Sequence, residues 1–139
     1  MKSIVRIVLS MFLVLPAVSA FAQEPENHVF TLSTFKMHFN RVAEYLEFYE
    51  KELKPQVAQN EFVLSQRVMT HAWGPDWSLI IISEYKDMAA IQASQKRATE
   101  IAEKRTPDKA KRDEMSARFA DAFLGHTDAI VLENAKLRK

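Results

Sequence analysis

The chain has 139 residues, with 19 Lys and Arg against 18 Asp and Glu, and no cysteine. A net charge of +1 lacks the basic excess that a nucleic-acid or anionic-membrane partner demands. Without cysteine there is no disulfide framework, and no cysteine to carry a lipid anchor after a leader is cut.

Residues 1–22, MKSIVRIVLSMFLVLPAVSAFA, have the make-up of a secretory leader. Lys2 and Arg6 come first, an apolar run from Ile7 to Leu15 follows, and small residues close on Ala20-Phe21-Ala22. The run is too short to span a bilayer. Cleavage after Ala22 would leave 117 residues with a net charge of −1, exported to the periplasm or beyond, with no membrane partner. Residues 23–27, QEPEN, read as a polar leader to a single domain over 28–139. A chain of this size buries about two-thirds of its unfolded surface, enough for one core.

VFTLSTFKMHF (29–39) is rich in β-branched and aromatic residues and predicts a strand. Asn40 is placed to cap a helix in which Val42, Leu46, Tyr49 and Leu53 share one face. Pro55 should end or kink it. FVLSQRVMTHA (62–72) predicts a second strand, Gly74-Pro75-Asp76 a corner, and SLIIISEY (78–85) a third strand. Asp87 caps a helix whose apolar stripe is thin: Ile91, Ala98 and Ile101. Thr106-Pro107-Asp108 reads as a restart, with Thr106 as the cap and Pro107 at the first helical position. A further helix is anchored by Met115, Phe119 and Phe123 and stopped by Gly125. TDAIVLEN (127–134) predicts the last strand.

The order β-α-β-β-α-α-β predicts an α+β, ferredoxin-like arrangement, a four-stranded antiparallel sheet with its helices on one face. Yet the strands are apolar on both faces. Leu79 and Ile81 oppose Ile80 and Ile82; Phe30 and Leu32 oppose Phe35, Met37 and Phe39. A bare apolar face needs cover, and the simplest cover is a second copy, sheet to sheet. This pattern resembles the dimeric α+β barrel superfamily over residues 28–134, chiefly through VFTLSTFKMHF and SLIIISEY. The resemblance implies a small ligand held in the barrel or between sheet and helices. That superfamily includes cofactor-independent monooxygenases, haem-degrading monooxygenases, isomerases and decarboxylases.

If the 71–78 corner is a short hairpin, Ser65 faces Glu84, Arg67 faces Ile82 and Met69 faces Ile80. Ser65, Arg67, His71, Ile80, Ile82 and Glu84 then share one side. Arg67 lies diagonal to Glu84, in reach of a cross-strand ion pair, or of a ligand's carboxylate or phenolate. His126, in GHTDAI with Asp128 two residues on, is the favoured acid–base histidine. Trp73 and Trp77 bracket the corner, where they clamp the turn or line a ligand mouth. Tyr45 is the helix aromatic best placed to reach a cleft. No metal-ligand spacing is present, and no cofactor is expected. The favoured function is an exported module that shelters a small apolar or aromatic molecule. The alternative is a cofactor-independent monooxygenase-like enzyme acting on a small aromatic or quinol substrate through Arg67, Glu84 and a histidine, with haem binding third.

Overall fold

The computed structural model describes residues 26–71 and 79–138. The expected secretory leader, Trp73, the expected corner at Gly74-Pro75-Asp76 and Trp77 lie outside the described residues. Strands β1 (Val29–Met37), β2 (Ser65–Thr70), β3 (Leu79–Tyr85) and β4 (Phe123–Leu132) form one antiparallel sheet in the order β2-β3-β1-β4. The helices are α1 (Phe39–Phe48), α2 (Lys54–Val57), α3 (Met88–Arg105) and α4 (Lys109–Ala117). This is the ferredoxin-like α+β fold that the element order predicts.

Strand pairing decides which side chains meet the helices. Val29, Thr31, Ser33, Phe35 and Met37 of β1 share a face with Leu79, Ile81, Ser83 and Tyr85 of β3. Val29, Met37, Leu79, Ser83 and Tyr85 on that face are buried. The main core joins Met37, Leu79, Tyr45 of α1, and Phe119 and Ala122 from the turn after α4. A smaller cluster joins Val29, Tyr85 and Ile91 of α3. The opposite face carries Phe30, Leu32, Ile80 and Ile82, all half-buried, with Met69 and Val131 exposed. No described helix lies over it. Among the described residues, then, only one of the two apolar sides of the sheet is covered. No helix among the described residues is long and apolar enough to cross a membrane.

Pro55 kinks its helix rather than ending it. A π turn at Tyr49–Leu53 precedes it, and α2 resumes with the proline in its first turn. Proline has no N–H to return to the carbonyl four residues back, and its ring crowds that carbonyl; the wider turn relieves both problems. The Lys51 carbonyl instead accepts from Arg105 Nη2 at 3.4 Å, while the same nitrogen pairs with Glu52 at 2.9 Å. Buried Asn60 donates to the Ser94 carbonyl and hydroxyl, both at 3.0 Å.

Several local expectations are corrected. Helix α1 starts at Phe39 after His38, so Asn40 lies inside the helix and does not cap it. Tyr45 is its buried residue, while Leu46 and Tyr49 flank the core half-buried. Strand β2 begins at Ser65; Phe62 and Val63 belong to the turn before it. Asp87 caps α3 as expected, accepting from the Ala90 N–H at 2.8 Å, but Ser94 lies on its buried face and Ala98 is exposed. Thr106 ends α3, and Asp108 itself caps α4 through the N–H groups of Ala110 and Lys111. Gly125 stops no helix. Helix α4 ends at Ala117, and Gly125 sits inside β4, which begins at Phe123. There it pairs with Lys36, and the skipped Leu124 forms a bulge against the Lys36–Met37 step.

Candidate functional site

The predicted hairpin register is the observed one: Ser65 opposite Glu84, Arg67 opposite Ile82, Met69 opposite Ile80. Ser65, Arg67 and Glu84 thus share the open face with Phe30, Leu32 and Ile82. His71 follows the end of β2 and is exposed. The expected Arg67–Glu84 ion pair is not formed. One Glu84 oxygen accepts from Ser65 Oγ at 2.5 Å, and the other is held by His28 Nδ1 at 2.6 Å. Both oxygens already have a donor, so an exposed Arg67 would give up side-chain freedom and hydration for little gain in joining them. Arg67 is exposed and makes no hydrogen bond or ion pair among the described residues.

The Ser65 hydroxyl, and after it His28, hold the Glu84 carboxyl below the ordinary carboxylate range by bonding its charged form. A depressed carboxyl stabilises the fold fully above its unfolded value and ceases to do so as pH falls through the lower folded value. Glu84→Gln is therefore expected to give a smaller drop in Tm on acidification below about pH 4.3, the ordinary glutamate value. Melting curves across that window read the difference. Glu44, held down by Arg118, and Glu133, held down by Arg138, keep the acid limb from vanishing.

His126 does not join this group. It pairs with Phe35 across β1 and stacks on that ring at 5.9 Å, on the helix side of the sheet. Its Nε2 lies 3.6 Å from Asp128, whose other oxygen accepts from Ser33 Oγ at 2.6 Å. His126 and the Arg67–Glu84 pair are thus separated by the thickness of the sheet. The histidine that reaches Glu84 is His28, one residue before β1. The signal for it is the β1–β3 register, which sets Phe30 opposite Glu84 and His28 on the diagonal.

Tyr45 lines a different place. A cleft of about 510 Å³ lies between α1, α3 and α4, above the Phe123 end of the sheet. Its wall is aromatic: Tyr45 meets Phe119 edge-on at 5.2 Å and Phe123 at 5.4 Å, and Phe48 lies 5.1 Å from Phe119. Arg41 and Arg118 sit over the Phe119 ring at 5.6 and 5.2 Å, bridged by Glu44 at 2.9 and 3.2 Å. The mouth is polar, with Thr99, Glu103, Thr106, Arg112, Asp113 and Ser116. Its charges are already paired, Arg112 with the Thr106 and Pro107 carbonyls at 2.7 and 2.8 Å and Asp113 with Lys109 at 2.6 Å. Burial raises the Tyr45 phenol above its ordinary value, so it is neutral at physiological pH. Such a cleft suits an uncharged ring better than an ion. Among the described residues no group of three or more His, Asp or Glu is placed to hold a metal.

No protein-family model matches the chain, and no curated protein matches it in sequence. Solved structures do match. An uncharacterized NIPSNAP domain protein from Burkholderia xenovorans superposes with a TM-score of 0.60 at 15% identity, covering 80% of this chain and 99% of its own. A DABB family protein with a ferredoxin-like fold from Mesorhizobium loti gives 0.53 at 13%, covering 77% and 97%. A dimeric ferredoxin-like protein from an uncultured marine organism gives 0.57 at 8%, covering 82% and 93%. At these identities the likeness is one of fold.

Proposed function

We propose that this chain is an exported, homodimeric binding protein that shelters a small apolar or aromatic molecule under its helices. The observation that carries the reading is the cleft of about 510 Å³ walled by Tyr45, Phe48, Phe119 and Phe123. Its volume falls in the range of small-molecule sites, roughly 300–1,000 Å³, and it pairs an apolar wall with a few polar groups at the rim. Ring edges of Phe119 and Phe123 at about right angles to Tyr45 offer an inserted ring further edge-to-face contacts. The apolar open face supports pairing with a second copy, as does the marine neighbour described as dimeric. The composition of residues 1–22 supports export.

The test uses 1-naphthol as the probe, followed by calorimetry and thermal melting. Wild type is expected to bind it and gain thermal stability in proportion to the logarithm of its concentration. Ala102 lines the cleft from α3 and is half-buried. Ala102→Trp fills the space without removing a wall residue, and is expected to weaken binding by at least about tenfold, as a loss of about 1.4 kcal/mol would. A wild-type protein that neither binds the probe nor gains stability would refute the reading.

A further inference from the structure

We propose that His28, held by Glu84 and Ser65 at the polar end of the open sheet face, is a proton-transfer site for a neutral aryl ketone or its enol. Three separate elements build it. Ser65 opens β2, Glu84 lies near the end of β3, and His28 precedes β1. Each carboxylate oxygen of Glu84 has one partner, Ser65 Oγ at 2.5 Å and His28 Nδ1 at 2.6 Å, so the carboxylate cannot rotate without losing a bond. An ionised carboxylate only accepts, and Glu84 is favoured in that form. The hydrogen between the two therefore belongs to Nδ1. Whenever the ring is neutral, that fixes its tautomer and leaves a lone pair on Nε2. Nε2 has no partner among the described residues, and the side chain is only 21% exposed.

Apolar side chains stand on the same face of the sheet as Glu84. Phe30 lies directly opposite Glu84, with Leu32 and Ile82 one step further along the same face. At this end Glu133 is bonded by Arg138, and its backbone N–H donates to the His28 carbonyl at 3.0 Å. Arg67, opposite Ile82 on the same face, makes no hydrogen bond or ion pair among the described residues and can offset part of an enolate's charge. Conjugation with an aromatic ring spreads the rest, and Phe30 stands on the same face. The step is a tautomerisation. The α C–H bond breaks, its proton passes to Nε2, and the electron pair moves to the carbonyl oxygen. Return of the proton to that oxygen gives the enol, and the reverse gives the ketone. Glu84 faces the imidazolium in between. No oxidant or cofactor enters.

The site rests on the proposed pairing for one thing, the exclusion of water from the open face by a second copy. The probe is phenylacetone in deuterated buffer with the mature chain, its α-proton exchange followed by proton NMR. Exchange faster than in imidazole buffer of equal concentration is expected. His28→Gln should slow it by about 100-fold, the lower range for a positioned general base, with folding confirmed by circular dichroism. Glu84 and Ser65 are positioning residues. Glu84→Gln should abolish the fixed tautomer in the nitrogen-15 spectrum of His28, which a merely structural contact elsewhere would not move. Light scattering on the same samples separates the two ideas. A dimer without exchange, or a His28→Gln variant as fast as wild type, overturns the site. A monomer that still exchanges through His28 supports the site and overturns only the pairing.

Discussion

Leu79→Ala is expected to destabilise the protein by about 3–5 kcal/mol, the cost of emptying a fully buried leucine site. Leu79 is the one large side chain with no exposure at all among the described residues. It opens β3 with Phe35 beside it on β1 and Thr70 on β2, and it packs into the core of Met37, Tyr45, Phe119 and Ala122. Those neighbours come from a strand, a helix and a tight turn, so they cannot all close on the hole at once. The large end of the range is therefore expected. For a domain of roughly 110 residues this is a drop in Tm of about 10–20 °C. Thermal and urea melts would read it, with an unchanged urea slope as evidence that the native state is otherwise intact. A loss below about 1 kcal/mol would mean that the helices do not seat on the sheet at Leu79.

Leu32→Asp is expected to turn the proposed dimer into a folded monomer. Leu32 stands in the middle of the open face, between Ile82 on β3 and Ala129 on β4. The side chain adds nothing to the helix-side core, so the monomer keeps its far-UV spectrum and most of its Tm. Each copy of the carboxylate would be buried in the pairing surface with Ile82 and Ala129, not a cation, on the neighbouring strands. That costs several kcal/mol, and a weakening of at least about a thousandfold follows. The position matters. An aspartate at 82 would face Arg67 and form an ion pair instead. Light scattering at micromolar concentration checks the outcome. A wild-type chain that is already monomeric, or a variant that is still dimeric, would rule out this face as the interface.

The fold was legible because its main signals are local or nearly so. The two apolar runs either side of residues 71–78 predict the β2–β3 register, and Asp87 caps its helix as its position suggests. The site was less legible. His28 and Glu84 are 56 residues apart, and their meeting depends on which strand lies between β2 and β4, a property of the assembled sheet. His126 was attractive because Asp128 is near in sequence, and the two do approach to 3.6 Å, but Phe35 stacks on the ring and Ser33 binds the other carboxylate oxygen, on the face away from Glu84. Gly125 misled for a related reason. The spacing of Met115, Phe119 and Phe123 fits a helical face, yet Phe119 and Ala122 are buried through a tight turn, and the chain is already extended when it reaches the glycine.

Among the described residues no strand pairs with the outer margin of β4, which is ten residues long, and Ile130, Val131 and Leu132 along it are exposed. A flat margin of that kind invites foreign strands to add on and seed fibrils. The unpaired Leu124 works against this, because an extra residue twists the strand and throws its donors and acceptors out of step. An incoming peptide can match the stretch after the irregularity but cannot run the full length. Deleting that single residue would straighten the border and leave the protein open to stacking against copies of itself.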